Sequence, residues 1–412
     1  MTIKNKIIDG RFSISKLEVV IIIYAILIFH IIFITFPSCY VNRYDSIRRI
    51  LELIMIIILF PFYKIFINKK YLKYNCSLLL FLFFSILSDY INRNILPTEK
   101  TLVVGCMYSM EILELSLFCE ILHKKNKMEY GIKVLYKITL FYCILSDLLM
   151  IINPIRVVTP KNVTIDYFLV GGKFSLCYLH ILLLSLYCTV YQKELFKRKY
   201  SLLVLFLLSL VVAYKSECST AILGFVFGLF LFINRKKFSR LCSKPIYLVA
   251  FILLCNFILL IGYSLLINNP ITQQILNLLG EDPTLTNREN IFKDMYAAIN
   301  QSPIWGYGFG NNNYISVLFT GAEDVQNGIF DCLLSYGIVG TILLFLYSIK
   351  SIKNGSTNSV YLYIGLYIFI LFTMVEITFR NQFFILIALI AFNNIPNRTI
   401  NNNGNKINGE II

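Results

Sequence analysis

Long apolar runs recur along this 412-residue chain, divided by short polar stretches. A helix needs roughly 20 such residues to cross a bilayer. The pattern predicts spans at 17–37, 50–67, 77–95, 101–122, 132–152, 167–191, 201–214, 219–234, 245–267, 327–349, 359–376 and 380–395. That makes about twelve helices, of which the seventh and eighth are short enough to be tilted or re-entrant. The fold class expected is all-α, a polytopic integral membrane helical bundle. Residues 1–395 form one transmembrane domain, and the Asn-rich stretch 396–412 reads as a disordered cytoplasmic tail.

The chain makes one long excursion out of apolar sequence, between Asn268 and Gln326. Spanning needs only short connections, so a long loop on a many-span protein points to chemistry at one membrane face. Its side is set by the charges. Lys and Arg gather at every second connection: Lys4, Lys6, Arg11 and Lys16, then Lys64 to Lys73, Lys124 to Lys127, Lys193 to Lys199, Arg235 to Lys244, and Lys350 with Lys353. By the positive-inside rule those loops and both termini are cytoplasmic, and 268–326 is extracytoplasmic.

Composition adds exclusions. With 57% hydrophobic residues, 15% charged residues and a mean hydropathy of +0.70, the chain fits a membrane protein. The net charge of +15 sits in the alternating loops, which argues against a nucleic-acid partner. Eleven cysteines form no CxxC pair and lie mostly within apolar spans, as small buried hydrophobes would. His30, His123 and His180 lack HExxH spacing, so no metal site or cofactor is expected. The basic start leads straight into a full-length span, which reads as an uncleaved anchor.

Within the loop, Thr286 with Glu289 three residues on is a capping-box pattern, and Pro303 marks a stop. A helix is predicted near 287–300, with Ile291, Phe292, Met295, Ala298 and Ile299 on one face, suited to lie on the membrane surface or cap the bundle. Arg288 falls in its first turn, where a cation opposes the helix dipole. An anion held between Arg288 and the free amide groups reverses that cost, which makes Arg288 the first candidate for chemistry. A solvated Arg288 paired with Glu281 or Asp282 is the plain alternative. Gly306, Gly308 and Gly310 alternate in a turn that lets backbone approach a ligand, though no P-loop lysine follows.

The run of Arg288 with Phe292, Pro303, Gly306-Tyr307-Gly308-Phe309-Gly310, the pair Gln326-Asn327 and Leu333-Leu334-Ser335-Tyr336-Gly337-Ile338-Val339-Gly340 resembles the O-antigen ligase and polymerase superfamily of bacterial envelope glycosyltransferases. Ser219 to Gly224 resembles the small-residue start of a late span in that family, with Lys215 as the nearest cation. Gly171-Gly172-Lys173-Phe174 with Tyr178 and His180 resembles its capsule and exopolysaccharide polymerase branch. The resemblance implies transfer of an oligosaccharide from undecaprenyl diphosphate to a sugar hydroxyl, at the outer face of the bacterial plasma membrane, without a nucleotide sugar. The implied partners are that lipid-linked oligosaccharide, the bilayer, and a flippase and chain-length regulator of the same pathway. Ligases of the superfamily usually carry His at the position of Gln326, and a glutamine takes up no proton at neutral pH. Glu323 and Asp324 are the nearest carboxylates, and they stand as catalytic candidates beside Arg288.

A diphosphate leaving group gains negative charge as the glycosidic bond breaks, so cations on the outer face bear on the reaction. The expected set is Arg43, Arg48, Arg49, Arg93, Lys100, Arg156, Lys161, Lys215, Arg288 and Arg380. After Arg288, the residues favoured for substrate binding are Arg156, Lys173, Lys215 and Arg380, with the three glycines, Gln326 and Asn327. Asp89, Glu111, Glu114, Asp147 and Glu376 lie in or beside spans, where acids are either functional or paired; Arg93 and Lys137 are the partners weighed for the two glutamates. The leading function is a repeat-unit polymerase. The alternatives are the related ligase and a non-enzymatic flippase, the latter disfavoured by the long loop and the lack of repeat symmetry.

Overall fold

The computed structural model describes residues 16–33, 44–68, 71–96, 101–152, 155–158, 164–267, 269–270, 273–274, 288–322, 324–353 and 359–393. The helices are α1 Lys16–Phe33, α2 Tyr44–Leu59, α3 Tyr63–Phe66, α4 Leu72–Ile91, α5 Thr101–Lys124, α6 Met128–Ile152, α7 Lys173–Val190, α8 Lys199–Lys215, α9 Ser219–Ile233, α10 Arg235–Cys242, α11 Pro245–Ile267, α12 Arg288–Gln301, α13 Asn312–Thr320, α14 Gly328–Ile352, α15 Val360–Phe372 and α16 Asn381–Asn393. Every apolar run read from the sequence contains a helix. Among the described residues five helices are long and apolar enough to cross a membrane, or six if α10 and α11, bent by 100° at their junction, form one broken span.

The all-α expectation has one addition. Ile155–Val158 (β1) and Thr164–Tyr167 (β2) pair antiparallel, with Arg156 opposite Asp166. Both strands are rich in β-branched residues, which favour extended backbone, but four residues leave too short an alternation to read against the apolar background.

α15 and α16 lie at the centre. Nearly every side chain of α15 is buried, as are residues 383–392 of α16, and α5, α7, α9 and α14 pack around them. A helix that is apolar all round is one shielded by other helices. That explains how segments of 13 residues reside in the bundle without spanning it alone. The outer helices show the converse pattern: Leu203, Val204, Leu207 and Val211 of α8 and Val226 and Phe230 of α9 are exposed, as a lipid-facing surface requires.

α12 lies against the start of α14. Its buried Ile291, Phe292, Met295 and Ala298 pack with Tyr307, Ile315, Val325, Phe330 and Leu334 in a small core separate from that of the bundle. Thr286, half of the expected capping box, lies outside the described residues. The same holds for the tail 396–412.

Candidate functional site

The site begins with a break in α14. Gly337 has φ 64° and ψ −172°, a backbone state open only to glycine, so the helix ladder stops there and carbonyls one turn earlier are left free. The glycine turn takes them. Tyr307 N donates to Leu334 O at 2.7 Å and Gly308 N to Ser335 O at 3.1 Å, while Ile338 N returns a bond to Pro303 O at 2.8 Å. From the other side, α4 clamps the turn. Ser88 Oγ donates to Trp305 O at 2.5 Å, Asn92 Nδ2 to Gly306 O at 3.1 Å, and Gly310 N donates to Asp89 Oδ1 at 3.1 Å. Asn311 finishes the clamp, donating to Asn92 O and Tyr307 O and accepting from Thr101 Oγ1. Tyr307 donates to Ala298 O at 2.8 Å, which ties the turn to α12; burial pushes its phenol pKa up, so it stays a neutral donor.

This corrects the role expected of Gly306, Gly308 and Gly310. Their N–H groups are spent on Ser302 O, Ser335 O and Asp89 Oδ1, not left for a ligand. The close approach they permit is to protein: a Cβ on Gly306 would stand 2.6 Å from Gly337 N, and one on Gly310 2.8 Å from Thr101 O. Asn327 is likewise structural. Its side chain caps α14 by accepting from Ile329 N and Phe330 N, and donates to Asn256 Oδ1 and Met374 O.

What the turn delivers is Phe309. Its ring lies flat on Tyr108 at 4.0 Å between centroids and 5° between planes, and the Arg380 guanidinium sits 4.5 Å from the Phe309 centroid. Arg380 is held by Asp331, Nη2 to Oδ1 at 2.8 Å, and Asp331 also accepts from Asn312 Nδ2. Asp331 is 2% exposed. The Arg380 side chain is 26% exposed and reaches a cavity of about 440 Å³. α2 supplies Arg48, Arg49 and Glu52 to that cavity, α5 supplies Tyr108 and Glu111, and the first turns of α7 supply Ser175 and Leu179.

Three guanidiniums therefore face two carboxylates. Arg48 pairs with Glu111 and sits 3.7 Å from Glu52. Arg49 makes no hydrogen bond or ion pair among the described residues and is exposed. An exposed guanidinium with no close ion pair, near Glu52 and beside a second anchored from behind, suits a phosphate-bearing ligand with geometry for forked bonds. The partner expected for Glu111 is corrected too: it is Arg48, while Arg93 lies over the Tyr90 ring and donates to Tyr90 O.

The other sequence candidates fall elsewhere. Arg288 is the first residue of α12, and Arg156 lies within β1, but the side chains of both lie outside the described set, as does the whole of Glu323. Asp324 is exposed and accepts from Gln326 N at 3.1 Å. Gln326 has φ 46°, at the corner that turns the chain into α14. Lys173 is exposed and donates to Glu217 O at 3.1 Å; Lys215, at the end of α8, is exposed and does not line the cavity. Of the favoured cations whose side chains are described, Arg380 lines it, and Lys173 and Lys215 do not. Among the described residues no group of three or more His, Cys, Asp or Glu is placed to hold a metal ion.

The fold and site define a many-helix membrane protein with an arginine-lined polar cavity, roofed by a turn clamped between two helices. Residues 181–345 match the family model described as O-antigen ligase, which supports the O-antigen ligase and polymerase superfamily and a ligase- or polymerase-type function. No curated protein and no solved structure matches the chain. The matched stretch contains the glycine turn, Phe309 and Asp331. Arg48, Arg49, Glu111 and Arg380 come from outside it.

Proposed function

We propose that the protein is a polysaccharide repeat-unit polymerase. It transfers an oligosaccharide from undecaprenyl diphosphate onto a second lipid-linked repeat unit, at the outer face of a bacterial plasma membrane. The observation that carries this reading is the cavity lined by Arg48, Arg49 and Arg380 directly beneath the glycine turn, which lies in the stretch matched by the family model. In it the donor's diphosphate lies against Arg49 and the free edge of Arg380. As the glycosidic bond breaks, charge grows on the leaving diphosphate and those fixed cations lower the barrier. Glu111 and Glu52 line the same space, so a carboxylate stands ready to take the proton of the attacking sugar hydroxyl. Phe309 and Tyr108 offer an aromatic surface for a sugar face.

A ligase reading is favoured by the description of the matched family model. Gln326 in place of the histidine usual in ligases favours the polymerase. Deletion separates the two. Cells lacking a polymerase accumulate single repeat units on undecaprenyl diphosphate and lose high-mass polysaccharide, whereas cells lacking a ligase keep long lipid-linked chains. Purified protein given only the lipid-linked repeat is expected to build a ladder without nucleotide sugar. Long lipid-linked chains in the deletion strain make the protein a ligase; repeats stranded on the cytoplasmic leaflet make it a flippase.

A further inference from the structure

A second cavity, of about 390 Å³, lies between α7, α8, α9 and α15, at the end of the bundle away from the arginine site. Its walls are apolar, among them Leu184, Phe206, Phe225, Phe232, Ile364 and Ile368. Away from the rim Ser185 is polar, and its hydroxyl is spent on Ile181 O at 2.9 Å; the Tyr361 hydroxyl bonds Arg235 at the rim. A hydrocarbon chain thus meets no unsatisfied polar atom there. The trough continues into the exposed apolar faces of α8 and α9, where Leu203 and Leu229 line it and are 52% and 42% exposed. Its volume falls within the range of small-ligand sites, roughly 300–1,000 Å³.

Charge names the occupant. Lys199, at the first residue of α8, and Arg235, at the turn from α9 into α10, both line this cavity. Neither pairs with a carboxylate among the described residues, although neighbouring Arg198 is taken by Glu194 at 2.8 Å. Lys199 lies 5.1 Å from the Tyr200 ring and Arg235 5.2 Å from the Phe232 ring, and both residues are exposed. Both belong to the basic connections that the positive-inside rule sets on the cytoplasmic side. Arg235 donates to Phe232 O at 3.4 Å and also bonds Tyr361, both neutral partners that leave its charge uncompensated. An apolar trough open to lipid, with two cations that have no carboxylate partner at the head-group end, has the chemistry of an anionic phospholipid site.

We propose that this trough binds one anionic phospholipid of the cytoplasmic leaflet, an acyl chain along Phe206 and Phe225 and the phosphate at Lys199 and Arg235. The site is separate from the glycosyl-transfer cavity and holds whichever reaction that cavity performs.

The test is native mass spectrometry of the detergent-purified protein titrated with dioleoyl-phosphatidylglycerol or dioleoyl-phosphatidylcholine. One tightly held phosphatidylglycerol is expected, preferred over the zwitterionic lipid by roughly thirtyfold for two interfacial cations. The Lys199→Gln, Arg235→Gln double variant is expected to lose the preference, both positions being exposed enough to leave folding intact. Leu203→Trp, which fills the trough and keeps both cations, is expected to lose the bound lipid. Lys236→Gln with Lys237→Gln, cations of the same end that do not line the trough, is expected to bind as the parent does. Equal retention of the two lipids by the parent protein overturns the proposal, as does an unchanged preference in the double variant. Displacement of phosphatidylglycerol by substoichiometric undecaprenyl phosphate overturns it as well, by making the trough a polyprenyl site.

Discussion

Arg380 either meets substrate or merely neutralises Asp331, and a pair of substitutions separates the two. Arg380→Ala removes the 2.8 Å ion pair and leaves the carboxylate of Asp331, 2% exposed, with Asn312 as its remaining partner. Breaking a buried pair costs about 3–5 kcal/mol; the guanidinium is 26% exposed, so solvent screening brings the expected loss to about 2–3 kcal/mol. Asp331→Asn in the same chain removes the stranded charge and keeps a hydrogen-bonding group for Asn312, so stability returns to near the parent value. Activity does not return. A lost charge-assisted contact to phosphate is worth about 1.5–3 kcal/mol, a fall of roughly 10- to 150-fold in kcat/KM for glycan transfer. The measurements are thermal unfolding in detergent and single-turnover transfer from a lipid-diphosphate-linked repeat. A double variant that regains both stability and transfer would show that Arg380 serves packing alone.

Gly337→Ala forces a side chain into a glycine-only conformation and against the carbonyl of Ile304, and is expected to cost about 3 kcal/mol or more, read as a lower unfolding midpoint together with lost transfer. Arg288→Ala is expected to abolish high-mass polymer at normal protein levels, with Arg288→Lys a poor rescue because a point charge does not fork; wild-type chain lengths in the alanine variant rule the role out. For topology, single cysteines at the exposed Asn313 and Lys237, in a chain purged of other thiols, are expected to differ toward an impermeant reagent in intact cells, the first labelled and the second protected; the reverse pattern inverts the orientation.

The helices were legible because a bilayer demands long apolar runs, a signal that survives without knowing which helix meets which. The site was less so. Arg380 stood out as a cation beside an apolar run. Its partner Asp331 lies 49 residues earlier, in the first turn of α14, where an acid also suits the helix dipole, so position alone does not mark it as a partner. Arg48 and Glu111 were each visible as misplaced charges, but their pairing joins α2 to α5 across 63 residues, and pattern reading carries no such distances. Arg48 and Glu52, four apart and so on one face of α2, are the local signal from which this polar face could be found. The glycines misled in kind: their freedom was read correctly, but what approached was the backbone of α14 and the carboxylate of α4. The Gly337 break drew no notice because a glycine in an apolar helix is ordinary until its dihedrals are known.

The clamp on the glycine turn also sets an order of birth. Ser88 reaches Trp305 across 217 residues and Ser335 across 247. α4 leaves the ribosome early, and its half of the clamp waits, unfilled, through most of synthesis. The loop then has no seat until α14 has emerged and broken at Gly337. The arginine cavity, whose roof is that turn, therefore closes among the last events of biogenesis. A chain stalled before α14 carries the cations of α2 but lacks both Asp331 and Arg380, and its cavity is incomplete.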